Sequence, residues 1–244
     1  MAIAAIDTAL VVGTKGYPYL FQGASPSSIT GQKLSSVQQA CISSRSMVAL
    51  DGMVLYAAPD GLVGVGADGG ALVTEGVITR EQWQALKPDT LRAWYSEGRY
   101  VALTDSHGFV FDPRSEDLRW LTGRWDAAVA DMQLDALMIA KGTQLHQWRG
   151  GAVALPMCWR SKEFVLPPGI RLSCARVMSR SVERVGFVLI VDGARVFELK
   201  AGQVTPTGFR LPPLRGRRWQ VEVSGTAEVE RITLGASMAE VVLQ

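Results

Sequence analysis

Apolar residues along the first two-thirds of the chain recur in a pattern of an apolar strand, a glycine-bearing turn and a second apolar strand. The four copies span residues 9–21, 53–65, 100–111 and 136–148, and their turn glycines are Gly16, Gly61, Gly108 and Gly142. Strand pairs that return every 34 to 47 residues are typical of one small antiparallel sheet per repeat, the unit of a β-propeller. The pattern therefore predicts propeller-like repeats, with a β-sandwich or an unclosed array of sheets as the alternatives.

The turns within these repeats predict tight hairpins. Asp60 and Gly61, and likewise Lys15 and Gly16, lie between extended runs, where glycine can supply a positive φ. Residues 64–69 match Gly-x-Gly-x-x-Gly, but a strand pattern follows them and no helix, so we interpret this segment as a glycine-rich hairpin and not as a dinucleotide site.

One short helix is predicted after the second repeat. Thr79 and Gln82 have the spacing of a capping box, in which each side chain satisfies the other residue's backbone N–H. Pro88 disfavours helical geometry at Lys87, so the helix should end there.

The pattern changes near Trp159. About seven short strands are predicted beyond it, at 163–166, 170–178, 185–191, 195–199, 208–211, 219–224 and 228–234. Residues 219–223 alternate between apolar and polar side chains, as a strand with one buried face does. Such a series predicts a β-sandwich, with Asp192 and Gly193 in a type I′ hairpin.

Charge divides the chain at the same place. Residues 1–158 carry 12 basic and 15 acidic side chains, whereas residues 159–244 carry 13 basic and 8 acidic ones. We therefore predict two domains, a propeller-like repeat domain over 1–158 and a β-sandwich domain over 159–244. The net charge of +2 is too small to indicate a nucleic-acid partner for the whole chain.

The three cysteines, Cys41, Cys158 and Cys174, form no Cys-x-x-Cys pair, so we expect reduced, buried thiols and not a disulfide framework or a zinc site. No apolar run approaches the roughly 20 residues that a membrane-spanning helix needs, so no membrane span is expected.

The sequence lacks the patterns of common catalytic sites. His107 and His146 occupy turn or strand positions that the repeats explain, and no nucleophile elbow or zinc-protease motif occurs. The carboxylates that could cleave glycosides lie in turn sequences, namely Asp51, Asp60, Asp105, Asp112, Asp131 and Asp135. We therefore expect a non-enzymatic protein with no cofactor and no metal, while a glycan hydrolase that uses these carboxylates stays as an alternative.

The strongest basic cluster lies in the C-terminal part, at Arg210, Arg215, Arg217 and Arg218. These residues fit a solvated hairpin. They also fit a patch that contacts phosphate or an acidic neighbouring subunit.

Several segments resemble tailed-bacteriophage and prophage virion proteins. They are residues 52–62, 79–83, 108–113, 159–162, 217–226 and 236–240. Within that group the chain resembles the C-terminal part of the propeller-bearing tail tubular (nozzle) proteins of short-tailed phages. These motifs mark lineage and carry no catalytic residue.

The resemblance implies a structural virion protein of the tail or head–tail junction, made and assembled in the host bacterial cytoplasm. It implies a homo-oligomeric ring that contacts other virion proteins (tail or portal-side ring subunits) and lies close to DNA without reading its sequence. Because such phage chains are usually longer, we expect a fragment or a split gene product.

Two further expectations follow from the residues. The repeat array is expected to be incomplete, with the first repeat lacking partner strands and residues 9–21 near a seam where the protein associates with itself or another chain. The alternative function is a carbohydrate-binding module, in which the β-sandwich holds a receptor glycan on Trp219 or Trp159.

Overall fold

Antiparallel strands form most of the regular structure in the computed structural model, which describes residues 1–7, 9–105, 107–152, 154–167 and 169–242. The chain divides into two compact units, Met1–Gly150 and Gly151–Gln244. The prediction of an all-β protein made of several antiparallel sheets is confirmed.

The first unit contains four sheets that follow one another along the chain. Sheet 1 consists of β1 (Ala2–Ile6), β2 (Ala9–Gly13), β3 (Tyr19–Gln22) and β4 (Thr30–Lys33). Sheet 2 consists of β5 (Val48–Leu50), β6 (Met53–Ala58), β7 (Gly61–Gly66) and β8 (Gly69–Leu72). Sheet 3 consists of β9 (Arg92–Ser96), β10 (Arg99–Leu103), β11 (Gly108–Asp112) and β12 (Asp117–Leu121). Sheet 4 consists of β13 (Ala127–Asp131), β14 (Ala136–Lys141) and β15 (Gln144–Gln147). In each sheet the strands are arranged in chain order.

The four sequence repeats are the second and third strands of the four sheets, from β2–β3 to β14–β15. The expectation that the first repeat lacks partner strands is wrong, because β1 pairs with β2 and β4 pairs with β3. The alanine-rich β1 and the polar β4 lack the Val, Leu, Tyr and Phe pattern that identified the repeats. Of the four sheets of the first unit, sheet 4 alone has three strands within the described residues.

The turn glycines do not share one conformation. Gly142 has a φ of 59° and occupies the β14–β15 turn as expected. Gly61 and Gly108 are instead the first residues of β7 and β11, so Pro59 and Asp60 make the turn before Gly61. The expected positive φ is found at Gly61, where φ is 158° and close to extended backbone, but the same expectation is wrong at Gly16. The glycine-rich segment 64–69 is the predicted hairpin, since Gly66 pairs with Gly69.

The predicted capping box is present at the start of α1 (Arg80–Ala85). The Thr79 backbone N–H donates to Gln82 Oε1 at 3.0 Å, and the Gln82 backbone N–H donates to Thr79 Oγ1 at 3.3 Å. Trp83 is buried, and its Nε1 donates to the Ala58 carbonyl oxygen at 2.8 Å. This tryptophan therefore fixes the helix to the end of β6. In the part of the chain that the structure describes, no helix has the length and apolar character needed to cross a membrane.

Successive sheets of the first unit pack face to face. One hydrophobic cluster joins sheets 1 and 2, a second joins sheets 2 and 3, and a third joins sheets 3 and 4. The first strand of each sheet lies beside the first strand of the next, in the order β1, β5, β9 and β13. The sheets are thus stacked in series around their first strands.

A buried polar network links sheets 2 and 3 through the 3₁₀ helix Ser44–Ser46. The Tyr100 hydroxyl donates to the Ser46 carbonyl oxygen at 2.6 Å, and the Ala57 N–H donates to Ser46 Oγ at 2.8 Å. Ser43 Oγ donates to the Leu91 carbonyl oxygen at 2.6 Å. Burial raises the pKa of Tyr100 well above its ordinary value, so the hydroxyl remains a donor.

Other 3₁₀ helices span Pro88–Thr90 and Val182–Arg184.

The second unit has two sheets that share one hydrophobic core. The five-stranded sheet contains β16 (Met157–Arg160), β17 (Phe164–Val165), β19 (Val185–Val191), β20 (Ala194–Leu199) and β22 (Arg218–Gly225). The three-stranded sheet contains β18 (Cys174–Ser179), β21 (Phe209–Arg210) and β23 (Val229–Gly235), and α2 (Met238–Val242) follows. In β22, Trp219, Val221 and Val223 all belong to this core.

The predicted domain boundary between residues 158 and 159 falls inside β16. All four residues of β16 pair with β22, so this strand belongs to the second unit. Residues 151–158 contain no charged side chain, and the change in charge therefore could not locate the boundary within them.

The predicted hairpin at Asp192 and Gly193 joins β19 to β20. Val191 pairs with Ala194, which leaves two residues in the turn. Asp192 and Gly193 have φ values of 51° and 83°, and positive φ at both central residues is the property of a type I′ turn. Asp192 tolerates this geometry better than most residues do, and Gly193 adopts it without strain.

Replacing Tyr100 by Phe should destabilise the protein by about 1–3 kcal/mol, because the buried Ser46 carbonyl loses its donor. Chemical denaturation monitored by circular dichroism measures this change. Tyr95→Phe is the matched control, since the Tyr95 hydroxyl is in an exposed position and should contribute little. Equal stability of the two variants would contradict the proposed role of the Tyr100 hydroxyl.

Residues 151–244 expressed alone should give one cooperative thermal transition, because the core of the second unit is formed by its own two sheets. In this fragment Gly193→Val should lower stability by more than about 1 kcal/mol, since a β-branched residue resists positive φ. A fragment without a cooperative transition would show that the unit needs the rest of the chain.

Candidate interaction surfaces

The predicted basic patch is divided between two sheets. Arg210 lies on β21 in the three-stranded sheet, whereas Arg218 begins β22 in the five-stranded sheet. Arg215 and Arg217 lie in the segment that leads into β22, and all four arginines are exposed. The Nε of Arg218 is 3.8 Å from an oxygen of Glu163, so part of the positive charge has a nearby carboxylate. The patch as a contact surface stays a prediction.

The segment with Arg217 and Arg218 is fixed to the β19–β20 turn by Asp192. One oxygen of the Asp192 carboxylate accepts hydrogen bonds from the backbone N–H of Arg218 at 2.9 Å and of Arg217 at 3.1 Å. These bonds, together with the charge of Arg218, lower the pKa of Asp192 below its ordinary value. The turn therefore holds the backbone of the arginine segment while the guanidinium groups remain in solvent.

A charged cluster that sequence reasoning missed lies on the five-stranded sheet. Glu222 is buried, and its carboxylate accepts from Arg160 Nε at 2.8 Å and from an Arg195 terminal nitrogen at 2.7 Å. A terminal nitrogen of Arg160 also donates to Glu222. The alternating pattern of β22 predicts Glu222 on the outer face, but no sequence signal pairs it with arginines on β16 and β20. With both oxygens occupied by guanidinium donors, this cluster fits a structural role.

The six carboxylates considered for glycoside cleavage lie in turns or at strand ends. Asp112 binds Arg99 at 3.2 Å, Asp51 binds Arg114, and Asp60 contacts Arg80 at 2.8 Å and Gln39 at 2.7 Å. Asp131 Oδ1 accepts from two backbone N–H groups of its own turn, at Gln133 and Leu134. Asp135 has a φ of 45°, as a turn residue can, and Asp105 lines an open depression.

That depression is polar and balanced in charge. Its volume is about 540 Å³, and its charged lining residues are Arg45, Asp89, Arg92 and Asp105. None of the described lining residues is aromatic, so it lacks the stacking surface of a sugar site.

The two histidines belong to the third and the fourth sequence repeat. His107 forms an edge-on contact with Trp120, with 6.2 Å between the ring centroids, and His146 is exposed on β15. Among the described residues, no group of three or more His, Cys, Asp and Glu side chains is placed to hold a metal ion.

The cysteines are free, but the expectation that all three are buried is wrong. Cys41 and Cys174 are buried, whereas Cys158 is exposed on β16, which lies at the edge of its sheet. Burial raises the pKa of the Cys41 thiol, which makes it less reactive.

The two tryptophans proposed to bind a glycan differ in exposure. Trp219 is buried in the core of the second unit, and its Nε1 donates to the Gly216 carbonyl oxygen at 3.0 Å, so its ring cannot stack on a sugar. Trp159 is 49% exposed. The alternating pattern of β22 explains this result, because it places Trp219 on the inner face.

Apolar side chains are exposed on the outward faces of sheet 1 and sheet 4, the first and last sheets of the first unit. On sheet 1, Ile3 is 59% and Leu10 is 37% exposed, and Phe21 is half-buried. On sheet 4, Val129 is 60% and Leu145 is 70% exposed. Large contiguous apolar patches on the surfaces of soluble proteins are often sites of protein association.

Asp192→Asn should reduce stability at neutral pH, and the difference from the wild type should shrink on acidification. The folded-state pKa of Asp192 lies below its value in the unfolded chain, so the carboxylate stabilises the fold above the unfolded pKa. This contribution is lost as the pH falls through the folded pKa. Thermal unfolding from pH 7 to pH 2 tests the change, and a difference that stays constant with pH would contradict it. Asn is suitable because it also tolerates positive φ.

Neither a protein-family model nor a curated protein sequence matches this chain.

Proposed function

We propose that this chain is a non-enzymatic structural protein of a phage or prophage virion, located in the tail or at the head–tail junction. In this proposal the first unit is an open β-propeller array and the second unit is a β-sandwich. The protein acts through interfaces with other virion proteins and with further copies of itself, in an assembly that surrounds the DNA path.

The observation that carries this proposal is the pair of exposed apolar faces at the two ends of the four-sheet series. A sheet face that carries Ile3 and Leu10, or Val129 and Leu145, gains free energy when another protein surface excludes water from it. Because the two faces are on different sheets, each copy can make two separate contacts. This arrangement suits a subunit of a closed assembly.

The charged groups support the same proposal. Asp51, Asp60 and Asp112 are paired with arginines, and the buried Glu222 is held by two more. The exposed arginines near β22 offer positive charge, which suits contact with the phosphates of a nucleic-acid backbone. Of the two tryptophans proposed to bind a glycan, Trp219 is buried and Trp159 is exposed. We therefore do not favour the glycan-binding alternative.

Purified particles from the phage or lysogenic strain that carries this gene should contain the protein after density-gradient centrifugation and a high-salt wash. Mass spectrometry of the particles measures this. Deleting the gene should give DNA-filled heads that lack complete tails in electron micrographs, and the gene supplied on a plasmid should restore infectivity. Particles that form and infect normally without the protein would contradict the proposal.

A further inference from the structure

The sheets of the first unit share one register, so corresponding positions can be identified among them. We call the side of a sheet that faces the next sheet in the chain its forward face, and the opposite side its backward face. On β11, Phe109 and Phe111 lie on the backward face of sheet 3 and pack in the cluster shared with sheet 2. On β6 and β7, Ala57 and Leu62 are cross-strand partners on the forward face of sheet 2.

These side chains form one interface inside the protein. Ala57, Leu62, Phe109 and Phe111 belong to the same cluster, and each is fully buried. An aromatic backward face thus packs with an aliphatic forward face, an arrangement in which large rings fill the space above small side chains.

The exposed face of sheet 1 repeats the aromatic half of this interface. Phe21 pairs with Leu10 as Phe111 pairs with Tyr100, so Tyr19 and Phe21 on β3 correspond to Phe109 and Phe111. Leu20, between them, packs towards sheet 2. Tyr19 and Phe21 therefore point away from sheet 2, and both are only partly buried.

The exposed face of sheet 4 repeats the aliphatic half. Ala140 pairs with Leu145 across β14 and β15, and this pair corresponds to Ala57 and Leu62. Leu137 on β14 packs towards sheet 3, which places Ala140 on the opposite face, and Leu145 beside it is exposed. Val129, on the same forward face opposite Met138, is also exposed.

We propose that the forward face of sheet 4 in one copy packs on the backward face of sheet 1 in a second copy. The reverse contact between the same two copies closes a ring of eight sheets. The internal interface between sheets 2 and 3 is the template for this contact, and eight sheets lie within the range of 4–8 blades in known propellers. This inference rests on the proposed function, since it names the partner for that function's exposed faces.

The contact is heterologous, because each copy contributes a different face to it. Leu145→Lys damages the sheet 4 face and leaves the sheet 1 face intact, whereas Phe21→Asp does the reverse. Each variant alone should have a dimer dissociation constant at least about tenfold higher than that of the wild type, because every contact then contains one charged group against an apolar surface. An equimolar mixture should recover dimers, since one contact is intact and the other places Lys opposite Asp.

Size-exclusion chromatography with multi-angle light scattering on the full-length protein measures these states. Circular dichroism verifies that the variants are folded. If Phe21→Asp unfolds, Ile3→Asp replaces it, since Ile3 lies on the same face and is more exposed. Val165→Asp is the matched control. Val165 is an aliphatic residue on a strand of the second unit, and its exposure is similar to that of Ile3.

The inference is supported if the wild type is dimeric, both face variants dissociate, the control does not, and the mixture recovers dimers. It is overturned by a monomeric wild type, by Leu145→Lys dimers as stable as those of the wild type, by dissociation of the control, or by a mixture that stays monomeric. The association of the protein with virus particles is measured in a separate experiment, so the two proposals can fail independently. A protein found in virions that forms no dimer would overturn only the contact between copies. A dimer that is absent from virions would overturn only the proposed function.

Discussion

The arrangement of sheets in the first unit depends on strands that carry apolar side chains on both faces. In β6, β7 and β10 almost every residue is buried, so sheets 2 and 3 each need a covering layer on both sides. Exposure of either apolar face to water costs free energy, and one neighbouring sheet covers only one of the two faces. This requirement explains the serial stacking, the location of the clusters between sheets, and the exposed apolar residues where the series stops.

The second unit meets a different constraint, which is the placement of charge on a sheet with an apolar centre. Glu222 lies opposite Val188 on the five-stranded sheet, and Val188 is itself buried. A carboxylate in that position loses hydration, and two arginines compensate for the loss, Arg160 on the neighbouring strand β16 and Arg195 on β20, beyond β19. The hairpin at Asp192 uses a second carboxylate in solvent, where backbone N–H groups are sufficient partners.

Local patterns could be predicted from the sequence because their causes are local. The strand at Val185–Val191, the capping box at Thr79 and the turn at Asp192 depend on neighbouring residues alone, and the structure confirms them. The strands β1, β4 and β16 could not be found, since an alanine-rich, a polar and a four-residue edge strand carry weak local signals and form by pairing with a longer or more apolar strand. The Arg160–Glu222–Arg195 cluster was unpredictable for a related reason, because it joins three strands that are distant in sequence.

The chain order of the strands also has a kinetic consequence. Every strand pair in the first unit joins sequence neighbours, so each sheet can form as soon as its own few dozen residues are available. In the second unit, Met157 pairs with Gly225, and closing that loop requires most of the unit to be present. During synthesis on the ribosome the first unit can therefore acquire its sheets one at a time, whereas the second folds late and in one step.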